Sequence, residues 1–194
     1  MPSLLSIYNS ALSHVGTRRL SDPQEATREA ELCGQFYPET LREVLIEYPW
    51  SCSTGVNSLA IVPTEGWQRR GFAYAYQLPV DPKVLVIQGL VAEDGNLMEW
   101  EKWEKQGDLL MADVSPCRLR YTFEISVPTM IDTHVVEVIQ YKLAAKLAFP
   151  LAQSLQLSGQ LIQYAGLALD NAKNIEGRGS RNPTGPPKQW TEVS

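Results

Sequence analysis

With 194 residues, 44% of them apolar and 20% charged, the chain has ordinary globular composition and length for one domain, or one domain with an added layer. Seventeen basic against twenty-two acidic residues leave a net charge of −5, without the clustered Lys and Arg that displace counterions from a phosphate backbone. No apolar run reaches the roughly 18 residues of a membrane helix and no basic stretch opens a signal peptide, so the chain is expected to be soluble where it is made.

Ser3 caps a first predicted helix, in which Leu4, Leu5, Tyr8, Leu12 and Val15 repeat at helical spacing and Gly16 stands where a left-handed cap is wanted. A second helix is expected from Asp22-Pro23, with Glu25 completing an acidic capping box. Its apolar face runs through Ala30, Cys33, Tyr37, Leu41, Val44, Leu45 and Tyr48 to Pro49. Pro38 removes a backbone donor and crowds the carbonyl of Gly34, which predicts a kink rather than two helices.

From Trp50 the period changes. Phe72, Tyr74, Tyr76 and Leu78 alternate with Ala73, Ala75 and Gln77, and residues 83–89 read as a short apolar strand. Residues 100–105 and 108–112 flank Gln106-Gly107, the expected turn of a hairpin. Leu119, Tyr121, Phe123 and Ile125 alternate with Arg118, Arg120, Thr122 and Glu124, which predicts one apolar and one wet face. After Pro128, Thr129 and Asp132 form another capping box before Ile131, Val135, Val138, Ile139, Leu143 and Leu147. Pro150 bends or breaks that helix. A last helical pattern takes in Leu155, Leu161, Ile162, Tyr164, Ala165, Ala168 and Leu169 and ends near Lys173.

These two helices are apolar on more than one side, so they are either central or packed on a neighbouring subunit. Leu155, Ile162 and Leu169 are the residues expected to meet a partner. The Gly-, Pro- and Arg-rich stretch 175–194 has too little apolar area to offset its ordering entropy and reads as a flexible tail. Its Trp190 is either incidental or an anchor that folds onto a partner. The expected fold is α+β: a helical bundle from residues 1–49 and 129–174, with a small antiparallel β-layer from 50–128 inserted between its halves.

Motifs that carry chemistry are missing. Cys33, Cys52 and Cys117 are widely spaced and read as reduced, mostly buried thiols; no zinc-ligand spacing or phosphate-cradling glycine motif occurs. His14 and His134 are read as structural or solvent-facing, so neither a metal nor a cofactor is expected. The most enzyme-like texture is Glu99, Glu101 and Glu104 interleaved with Trp100 and Trp103, as in sites where an apolar neighbour raises a carboxyl pKa. The simpler reading puts the acids among Lys102 and Lys105 on a solvated hairpin, with the Trp rings covering the sheet.

Ile7-Tyr8-Asn9 through Ala11-Leu12-Ser13-His14-Val15-Gly16, then Leu41-Arg42-Glu43-Val44-Leu45 and Tyr48-Pro49-Trp50, resemble the opening of the phage tail tubular protein A family. Gly66-Trp67, Tyr74-Ala75-Tyr76-Gln77-Leu78-Pro79, Leu119-Arg120-Tyr121 and Lys142-Leu143-Ala144-Ala145-Lys146-Leu147-Ala148 followed by Pro150-Leu151 are similar in order and type, so the resemblance spans about residues 4–174. It implies a structural virion protein, a ring of twelve subunits beneath the portal, with the next tail or nozzle component on its far side. DNA would pass through without specific binding, and no catalytic residue, cofactor or membrane is involved. Pro38 and the tail beyond 175 depart from the pattern. The competing expectation is a peptidoglycan-degrading tail component using Glu99, Glu101 or Glu104 as its acid; a blander one is a monomeric binding module.

Overall fold

A computed structural model of the chain describes residues 2–179. Four long helices and two small antiparallel sheets make an α+β fold. Helix α1 (Leu4–Val15) begins at Ser3, whose hydroxyl accepts from the Ser6 amide while Ser6 returns the bond, and it stops at Gly16 with φ 80°. Helix α2 (Arg28–Glu47) is one helix across Pro38.

The start of α2 differs from the sequence reading. Asp22 accepts from the Gln24 amide at 2.7 Å, and Glu25 is engaged by Arg18 and the Ser21 amide. A local turn therefore takes both side chains, and Thr27 caps the helix instead.

The helices enclose one core, containing Ile7, Leu12, Cys33, Val44, Leu45, Val138, Ile139 and Leu143. Helix α3 (Thr133–Ala152) packs against the other three, most extensively against α4 (Leu155–Gly179), which explains why it is apolar almost all round. The Thr129–Asp132 box does not form. Residues 128–130 make a 3-10 turn, and Asp132 holds the N-cap position without a side-chain cap bond. Helix α3 continues through Pro150 and breaks at Gln153, with φ 52°; Ser154 then caps α4 by accepting from the Leu157 amide. The expected flexible stretch from 175 is corrected in part: residues 175–179 are the last turn of α4.

The first sheet has the order β1 (Thr54–Ser58), β6 (Arg118–Phe123), β3 (Val84–Leu90); the second has β2 (Tyr74–Gln77), β5 (Leu109–Ala112), β4 (Trp103–Gln106). They share a core in which Tyr76, Leu110 and Ala112 of one meet Val84, Leu90, Leu119 and Tyr121 of the other. The hairpin turn falls one residue later than read, at Gly107-Asp108, because Gly107 takes the left-handed position with φ 59°. Trp100 precedes β4 and is 93% exposed, so it does not cover the sheet.

The second face of β6 is not wet. Thr122 is buried and accepts from Gln88 Nε2 at 3.0 Å, and Arg120 is half-buried. The 48–51 turn and Glu176 of α4 close over that face. Trp50, fully buried with its Nε1 donating to the Val44 carbonyl at 2.8 Å, anchors the same turn in the helical core.

Candidate functional site

Helix α4 turns Leu161, Ala165, Ala168 and Ala172 inward at spacings of four, three and four, as one buried helical stripe requires. The rest of its surface is mixed: Gln156, Gln160, Gln163, Asp170 and Asn171 are exposed, and large apolar side chains stand among them. Leu155 and Ile162 lie on one flank, and Tyr164, Leu167 and Ile175 on the other, with Leu167 turned furthest from the core; all are exposed, Leu167 by 67%. Phe149, near the end of α3, adds a further exposed ring.

Between α4 and the α2–α3 pair runs a groove of about 550 Å³, lined by Ala145, Phe149, Ile162 and Leu169 with Glu43, Glu47, Lys142 and Lys146. Its charges are paired: Lys142 with Glu47 at 2.7 Å, and Lys146 with Glu43 at 2.7 Å and Glu39 at 3.5 Å. Pairing lowers the cost of covering those charges and leaves the apolar lining as the sticky part.

Of the residues expected to meet a partner, Leu155 and Ile162 stand exposed and Leu169 is half-buried on the helical core while lining the groove. Trp190 lies outside the described residues. Phe149, Leu167 and Ile175 were not singled out from the sequence. A helical wheel centred on Leu161, Ala165 and Ala168 marks Leu167 as outward-facing, so that residue was findable. The exposure of Phe149 depends on where α4 turns back against α3, which no local pattern encodes.

A second constellation sits where α4 ends. Glu176, 8% exposed, accepts from the Ser51 amide at 2.6 Å and from the Ser51 hydroxyl through one oxygen, and lies 2.8 Å from His134 Nε2 through the other. Burial pushes its carboxyl pKa up, but the two Ser51 donors and His134 outweigh that and hold it below the ordinary value. This cluster ties the last turn of α4 to the 48–53 segment and to the first turn of α3.

Asp132, His134 and Glu176 have ligand atoms within 4.8 Å of one another, and among the described residues they are the group that could hold a metal. Both Glu176 oxygens already have partners, so the arrangement is complete as a structural latch. His14 stacks on Tyr141 with ring centres 4.6 Å apart.

The acidic residues of the competing expectation do not share one element. Glu99 is exposed and Glu101 half-buried in the irregular stretch before β4; Glu104, on that edge strand, pairs with Arg70. No helix among the described residues is long and apolar enough to cross a membrane. The chain matches none of the protein-family models against which it was scanned, and no curated protein matches it significantly.

Proposed function

We propose that this chain is a structural, non-catalytic virion protein: a ring-forming head-to-tail adaptor that joins the portal to the tail and continues the DNA channel. The observation that carries the reading is the set of exposed apolar side chains on the two flanks of α4, with the adjoining groove. A closed ring needs a heterologous contact, in which each subunit offers two different surfaces to its neighbours. Burying one large apolar side chain gains about 1.5–3 kcal/mol, and association costs on the order of 4–15 kcal/mol in lost freedom. Phe149, Leu155, Ile162, Tyr164, Leu167 and Ile175 together supply apolar surface on that scale. The resemblance of the motif order to the tail tubular protein A family supports the same reading, and implies twelve subunits, a portal on one side and the next tail component on the other. The acidic balance suits a channel along which DNA slides without being held.

Native mass spectrometry and negative-stain electron microscopy of the protein, alone and mixed with portal, test this directly. The expected result is a ring that forms alone or on the portal and is lost in Ile162→Glu and Leu167→Glu. A chain that stays solitary beside the portal overturns the reading. Cell-wall clearing in a zymogram that disappears with Glu→Gln changes at Glu99, Glu101 or Glu104 would replace it with the hydrolase.

A further inference from the structure

At the seam between the helices and the first sheet lies a polar pocket of about 270 Å³, bounded by Tyr48, Ser51, Thr54, Gln88, Arg120 and Glu176. Arg120 stands out in it. Arg118, two residues earlier on the same face of β6, donates to the carbonyls of Ala92 and Glu93. Arg69, the other part-buried arginine among the described residues, donates to the carbonyls of Thr64 and Ala73. Arg120 Nε is buried with no hydrogen-bond partner, and none of the ion pairs among the described residues includes Arg120. A buried guanidinium donor without an acceptor is costly, which makes such a group a marker for something that binds there.

Its neighbours do not supply the acceptor. The side-chain amide of Gln88 is turned to the hydroxyls of Thr54 and Thr122. Glu176, the one carboxylate among the described residues that line the pocket, has its oxygens on Ser51 and His134. The backbone contributes to the opening: the register of β3 against β6 shifts between Ile87 and Gly89, and Gly89 is the residue paired with Arg120. Such bulges re-aim side chains and recur beside binding sites.

We propose that this pocket is a binding site for a single carboxylate, with Arg120 as its anchor. The planar guanidinium fork matches a planar carboxylate through paired N–H donors. One positive charge facing Glu176 suits one negative charge; a phosphate, with nearly two, would meet repulsion from Glu176 that a single arginine does not offset. The carboxylate has two sources. Glu192 is the one acidic residue after Gly179, and the 13 residues from 180 to 192 span up to about 43 Å when extended. That reach is ample, because the chain leaves α4 three residues beyond Glu176. The other source is an acidic side chain of a neighbouring protein. The assignment is independent of ring formation.

Arginine side-chain NMR on the full chain tests it, with the Arg120 Nε–H signal identified by its loss in Arg120→Lys. If Glu192 is the ligand, that signal exchanges slowly with water in the unmodified chain and about tenfold faster in Glu192→Gln. If the ligand comes from outside, Glu192→Gln changes nothing. Acetate, or a C-terminally amidated Gln-Trp-Thr-Glu-Val-Ser peptide, then shifts and slows the signal, while chloride and the same amidated peptide with Gln for Glu do not. Neither arm alters a residue that lines the pocket. A signal indifferent both to Glu192→Gln and to added carboxylates, or moved equally by chloride, overturns the proposal.

Discussion

Burying the Glu176 carboxylate disfavours its charge, yet Ser51 and His134 hold it ionised, so its folded pKa lies below its unfolded one. A depressed carboxyl contributes stability that is present above the unfolded value, about 4.3, and is lost as pH falls through the lower folded value. Urea melts should therefore show the protein weakening as pH drops below about 4.3, with a flatter acid limb in Glu176→Ala. At pH 7 that variant should lose about 2 kcal/mol, since it strands the Ser51 and His134 donors. The cysteines give a second test at this scale. Burial, then the charge of Glu29, pushes the Cys33 thiol up to about 12, and burial alone takes Cys117 to about 11. Burial heads the causes that raise Cys52 as well; a hydrogen bond with the Asp132 backbone opposes it, and the charges of Asp132 and Glu176 add to it. Thiolate is the reactive form, so at pH 8 a thiol reagent should label the native protein slowly. Half-buried Cys52 should react first, and all three cysteines promptly in denaturant.

At the scale of elements, α2 carries a proline it does not need for packing: Pro38 is exposed on a continuous helix. Pro38→Ala restores the donor to the Gly34 carbonyl and removes a ring clash. Against a loss of unfolded-state restriction worth under about 1 kcal/mol, the net gain should be about 2 kcal/mol in a chemical melt. Gly16 was legible because a left-handed cap accepts few other residues. The start of α2 was not, because Asp22 and Glu25 fit a helix cap and a turn equally well by type. Strand β1 escaped sequence reading for a different reason. It lies at a sheet edge, and Gly55, Asn57 and Ser58 leave it no apolar alternation.

For the whole molecule, α4 is the element whose two sides do different work. Leu161 is 3% exposed within the helical core, while Leu167 faces out. Leu161→Glu should unfold the bundle, because it buries an unpaired charge. Leu167→Glu should keep the melting curve within about 0.5 kcal/mol and reduce self-association measured by sedimentation velocity. If Leu167→Glu unfolds the protein, the face belongs to the fold and not to a partner. The latch at Glu176 adds a link between these scales, since it fixes the last turn of α4 against both Ser51 and His134.

The sequence alone determined the α+β class, a single helix across Pro38, the capped ends of α1 and the helical period of α4. Each follows from local rules of period, cap and turn that act over a few residues. Tertiary structure decided which apolar residues remain uncovered, that residues 175–179 stay helical, and that one face of β6 is closed. Those outcomes join Ser51 to Glu176 across 125 positions of the chain, and periodicity is blind to contacts at that range because nothing in either local pattern depends on the other.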